Sequence, residues 1–129
     1  MPGDLMLASG KLSSYRILTA YLNILDKKER DKALPKTKDL EYVRMLIDEG
    51  IRRLDEIIRE LSENLKGRIN GYYAKKAVKD VLGLDVDETE AKDYVAKELA
   101  SWILEISENL NIIKLKGSWE RRYDQFMRY

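Results

Sequence analysis

Leu40, Ile47, Leu54 and Leu61 recur every seven residues, with Val43, Ile51, Ile58 and Leu65 accompanying them. Apolar side chains at that spacing share one face of an α-helix but scatter over both faces of a strand. This stretch therefore constrains the fold more than any other. The spacing predicts one sustained helix over Leu40–Leu65, roughly 40 Å long. Gly50 falls inside it, at a cost of about 1 kcal/mol relative to alanine, and marks a kink or a close helix crossing. Thr37 and Asp39 supply a cap and an early acid ahead of the run. NLKG closes it, with Gly67 as a left-handed cap.

The same period continues on either side. Leu18, Tyr21, Leu22 and Leu25 predict a first helix from Ser13 that runs through DKKERDK until Pro35 ends it. A further helix is expected over Asn70–Val81, with Ala74, Ala77, Val78 and Val81 on one face, Lys75, Lys76 and Lys79 on the other, and Gly83 as its stop. Asp87-x-x-Glu90 has the form of a capping box with aspartate in the serine place. It opens a helix striped by Ala91, Tyr94, Val95, Leu99, Trp102, Ile103, Ile106 and Leu110. Residues 1–12 read as an irregular start. Residues 111–129 read as a short strand or extended connector (NIIKLKG) followed by a tail helix carrying Trp119, Tyr123 and Phe126 at i, i+4 and i+7. The expectation is a single all-α domain over residues 1–129. It is a four- to five-helix bundle with one long central helix and a C-terminal docking helix.

Composition limits the chemistry. The chain has no histidine and no cysteine, so Ser-His-Asp, Cys-His and zinc-thiolate arrangements have no residues to use. No catalytic, cofactor-binding or metal-binding residue is assigned, and no cofactor is expected. Charged residues make up 36% of the chain yet sum to +1, so no global field draws it to nucleic acid or anionic lipid. No apolar run is long enough for a membrane span, and a cytoplasmic, intracellular protein is expected. High charge with a single glutamine, Gln125, is the bias of heat-adapted proteins and points to a thermophilic, archaeal source.

Three constellations stand out. LDVDETE gathers Asp85, Asp87, Glu88 and Glu90 where acids favour a helix N-terminus, which is a capping role before a metal-binding one. Lys66 and Arg68 continue into Tyr72, Tyr73, Lys75, Lys76 and Lys79, a basic surface with two aromatics that suits nucleic-acid phosphates and bases, unless Tyr73 joins the core face of Ala74 and Ala77. In the tail, Ile112, Ile113, Trp119, Tyr123 and Phe126 form an apolar set suited to a protein interface or self-association. Arg121, Arg122 and Arg128 add single-strand contact as an alternative.

Two stretches carry a family resemblance. LEYVRMLIDEGIRRLDEIIRELSENLKGRI (Leu40–Ile69) is similar to the amphipathic helix of archaeal GINS subunits with its arginine and lysine run. LDVDETEAKDYVAKEL (Leu84–Leu99) looks like the acidic start of a late helix in the same family. Together they span roughly Leu40 to Glu105. The resemblance implies a non-enzymatic subunit of a DNA replication assembly, with no catalytic residues to carry over. The small β-rich domain of that family has no counterpart here beyond NIIKLK. Looser analogies are with helical coat proteins of archaeal viruses and with CRISPR effector small subunits, both nucleic-acid-binding structural proteins. The expected function is a non-enzymatic scaffold or assembly subunit.

Overall fold

The computed structural model describes residues 15–110. Its helices are α1 (Arg16–Ile24), α2 (Lys27–Ala33), α3 (Thr37–Asp48), α4 (Leu54–Leu65), α5 (Gly71–Leu82) and α6 (Glu88–Asn109), with a 3-10 turn at Lys66–Arg68 after α4. No strand occurs among the described residues, and the protein is an all-α bundle. The connector and tail over 111–129 lie outside the described residues, as do Ile112, Ile113, Trp119, Arg121, Arg122, Tyr123, Phe126 and Arg128.

The long central helix is α6, and the run over 40–65 is two helices. Gly50 adopts φ 97°; its N–H donates to Ile47 O at 3.0 Å, and the Ile51 N–H donates to Leu46 O at 3.1 Å. That pair of bonds is a Schellman termination, in which glycine at C′ supplies a left-handed conformation at little steric cost. The seven-residue repeat survives in part: Val43, Leu54, Ile58, Leu61 and Leu65 are buried, Leu40, Ile47 and Ile51 are half-buried against the core, and α3 buries Leu46 beside them. Gly67, the expected left-handed cap, has no positive φ and sits inside the 3-10 turn. The left-handed cap expected at Gly67 is found at Gly50.

The first helix also divides. Asp26 accepts the Glu29 N–H at 2.8 Å and so starts α2 after a break of two residues, Leu25 and Asp26. Arg30 then reaches back to the carbonyls of Leu22 (3.2 Å) and Leu25 (3.1 Å), supplying donors to the unpaired C-terminal end of α1. In α3, Thr37 is the first helical residue rather than the cap. Asp39 instead turns back to accept the Lys36 N–H at 2.8 Å. Asn70 caps α5 by accepting the Tyr73 N–H at 3.2 Å, and Gly83 closes it at φ 71°. Asp87 caps α6 by accepting the Glu90 N–H at 2.7 Å.

Helix α6 is the post around which the others stand. Helices α1, α3, α4 and α5 all pack against it, and every residue from Glu98 to Leu104 is buried. A helix buried on all sides must settle its polar groups internally. The Ser101 and Ser107 hydroxyls donate to the Lys97 and Ile103 carbonyls one turn back. Glu98, fully buried, accepts the Leu18 N–H at 2.8 Å and thereby caps the first turn of α1 across the core. Tyr15 donates its hydroxyl to Glu105 Oε1 at 2.8 Å, and its ring lies 6.4 Å from that of Trp102. Tyr21 accepts the Asn70 N–H at 2.8 Å, joining α1 to the cap of α5; burial pushes its phenol above the usual tyrosine value.

Candidate functional site: the outer face of helix α5

Ala74, Ala77 and Val78 turn the inner face of α5 into the core, which leaves the side chains between them outside. Tyr72, Lys75, Lys76 and Lys79 are all exposed there, Tyr72 to 56%. The connection Gly83–Asp87 has no helical turns, and α6 begins beside the start of α5. A Cβ added to Gly71 would lie 2.9 Å from Glu88 Cβ and 2.6 Å from its Oε1, so the chain returns the length of α5 in five residues. Between that returning strap and the helix lies a cleft of about 420 Å³, lined by the four α5 side chains together with Asp80, Asp85 and Glu88.

Each charge in the cleft can be followed. Lys79 Nζ is 3.2 Å from Asp85 Oδ2 and clasps the strap to the helix. Lys76 Nζ stands 4.8 Å from the centre of the Tyr72 ring, a cation–π distance, while Tyr73 meets the same ring edge-on at 5.3 Å between centroids. Lys75 makes no ion pair among the described residues. Three lysines face three carboxylates, so the cleft is polar, aromatic and electrically balanced.

Lys66 and Arg68, grouped with this surface on sequence, are occupied elsewhere. Lys66 bridges Glu63 (2.7 Å) and Asp93 (3.2 Å), and its hydrogen bond to Glu63 foremost raises its ammonium above the ordinary lysine value. Arg68 forms a two-pronged bond to Asp39, at 3.0 and 2.6 Å, and also reaches the Leu34 carbonyl. Asp39 is 2% exposed, so this is a buried clamp between α3 and the turn after α4. Its partners are 29 residues apart, and neither has a local sequence signal for the other.

The acidic cluster divides likewise. Asp87 caps α6, Asp85 clasps Lys79, and Glu88 abuts Gly71. No group of three or more metal-ligating side chains converges among the described residues. No helix among them is long and apolar enough to cross a membrane. No family model, curated protein or solved structure matches the chain.

Proposed function

We propose that the chain is a non-enzymatic assembly subunit that associates with a second copy of itself through the α5 cleft. The observation that carries this reading is the balance of the patch. An exposed tyrosine stands among three lysines and three carboxylates on one surface. A two-fold interface brings the same patch against itself, so a patch bearing both signs can present its acids to the partner's lysines. Aromatic residues supply the desolvated centre of such contacts. Nucleic acid asks for uncompensated positive charge, and here Lys66, Arg68 and Lys79 already hold carboxylates within the chain. The finer reading, a GINS-like component of a replication assembly, is supported by the two resembling stretches given above. Membership in a larger nucleic-acid-handling complex is compatible with self-association.

Light scattering after size exclusion tests it on the full chain, with and without a mixed oligonucleotide at two salt concentrations. A discrete dimer or larger oligomer, indifferent to oligonucleotide and reduced to monomer by Tyr72→Ala with Lys76→Glu, is expected. A nucleoprotein peak that dissolves with salt and with neutralised Lys75 and Lys76 would instead establish the alternative, a nucleic-acid-binding structural protein. A monomer at all concentrations would sink the self-association reading.

A further inference from the structure

A second cleft, of about 430 Å³, lies on a different part of the bundle between the start of α3 and the end of α4. It is lined by Lys38, Asp39, Tyr42, Asn64, Gly67 and Arg68. Lys38 and Tyr42 are one turn apart on α3 and share a face, while Asn64, Gly67 and Arg68 come from the end of α4 and the turn that follows. What matters is which of these groups still has hydrogen bonds to give.

Asp39 is nearly saturated. One of its oxygens accepts from Arg68, and the other accepts from Arg68 and from the Lys36 N–H. Its charge is cancelled by the guanidinium that holds it. The side chains of Lys38, Tyr42 and Asn64, by contrast, make no hydrogen bond or ion pair among the described residues. The Arg68 Nε–H is buried without a partner. That N–H is too deep to meet a ligand, so the unused capacity in the cleft consists of an ammonium, a hydroxyl and a carboxamide, with Lys38 as the uncompensated charge. Three groups able to donate, with one net positive charge, suit an oxyanion.

Size and shape narrow the class. The volume lies within the range of small-molecule sites and exceeds what a single phosphate fills. The half-buried Tyr42 ring adds an aromatic wall. We propose that this cleft binds a small phosphorylated aromatic molecule of the mononucleotide kind. Lys38 and Asn64 hold the phosphoryl oxygens and Tyr42 packs on the ring system. The proposal is independent of the α5 cleft and of any self-association there.

NMR titration of the labelled full chain with AMP, inorganic phosphate and adenosine tests it. AMP is expected to shift the signals of Lys38, Tyr42, Asn64 and Gly67 saturably, with a dissociation constant on the order of 1 mM or tighter. Phosphate should move Lys38 and Asn64 more weakly, and adenosine less again. Lys38→Met should weaken AMP at least about tenfold, the scale of one lost charge-assisted hydrogen bond. Tyr42→Leu should weaken AMP while leaving phosphate unchanged. Arg68 is left intact because it holds Asp39, and the melting temperature of each variant reports that the fold is retained. Equal AMP affinity in folded Lys38→Met, or shifts spread over every lysine-bearing surface, would overturn the site. Phosphate binding as tightly as AMP would overturn the mononucleotide assignment.

Discussion

Helices α5 and α6 lie against each other, yet they are built on opposite plans. Helix α6 hides nearly its whole girth from Glu98 to Ser107 and carries Trp102, the largest fully buried side chain among the described residues. Helix α5 hides one face made of small residues, Ala74 and Ala77 with Val78, and leaves tyrosine and lysine outside. Small residues on α5 let it approach the broad α6 closely, so the thin helix becomes a veneer over the thick one. The division has a consequence for evolution and engineering. Changes in α6 fall on the core, whereas changes on the outer face of α5 fall on solvated side chains.

The sharpest way to break that comparison is to damage the post. Trp102→Ala removes a fully buried indole that packs beside Tyr15 at the centre of the bundle. Truncations of this kind cost about 3–5 kcal/mol. One offset applies, because the indole N–H is buried without a partner, and its removal also removes an unsatisfied donor. Denaturant unfolding should show the loss; a cost under about 1 kcal/mol would mean that α6 is not the organising element.

A second test strikes the clamp that fixes α3. Asp39→Ala leaves Arg68, whose side chain is 18% exposed, with its charge uncompensated. Breaking one partner of a buried pair costs about 3–5 kcal/mol, and this partly solvated guanidinium belongs at the low end. Asp39 also tethers the Lys36 N–H, so Asp39→Asn, which keeps an acceptor, should recover part of the loss. Equal stability of the two variants would show that the charge matters and the cap does not.

How much of this was legible in the sequence depends on how local each cause is. The inner face of α5, the Asn70–Tyr73 and Asp87–Glu90 caps, and the stop at Gly83 are all set by neighbours within four residues, and period and cap residues revealed most of them. The seven-residue repeat over 40–65 was also real, but burial is blind to whether the backbone between two buried turns is continuous. Helices α3 and α4 both rest on α6, so both keep the repeat across the break. Gly50 was the visible clue, read as a fault within a helix when it is the end of one. Least legible were the long-range polar partners. Glu98 lies in Leu84–Leu110, a segment with eight acids and two lysines, and nothing nearby marks it as the residue that caps α1 from 80 positions away. Arg68 sat in a basic run and looked like surface for the same reason. The α5 cleft was half visible: its lysines and Tyr72 were apparent, but the strap that closes it with Asp85 and Glu88 was not.

The contact between the two helices offers a more delicate test. Gly71 is buried at the first position of α5, and an added methyl would meet Glu88 Cβ at 2.9 Å. Glu88 Oε1 can swing away; its Cβ is anchored to the α6 backbone and cannot. Gly71→Ala should therefore destabilise by about 1–3 kcal/mol despite the better helix propensity of alanine. Stabilisation would mean that α6 slides freely along α5, and the veneer picture would need revision.

The smallest effect on stability should come from the outer face itself. Tyr72→Ala removes an exposed ring whose neighbours are Tyr73 and the Lys76 ammonium, and Lys79→Ala opens an ion pair between groups 54% and 86% exposed. Exposed pairs of this kind contribute up to about 1 kcal/mol and exposed substitutions about 0.5. The melting temperature should thus move little in either variant, and the Lys79 effect should vanish in high salt. The two differ in what they expose. Lys79→Ala frees the strap and should speed hydrogen exchange over Leu84–Val86 without changing oligomeric mass, since the tyrosine remains in place. Tyr72→Ala should leave that exchange unaltered while weakening self-association. If both variants change both readouts together, strap and tyrosine act as one unit, and the face of α5 is less separable from the fold than its exposure suggests.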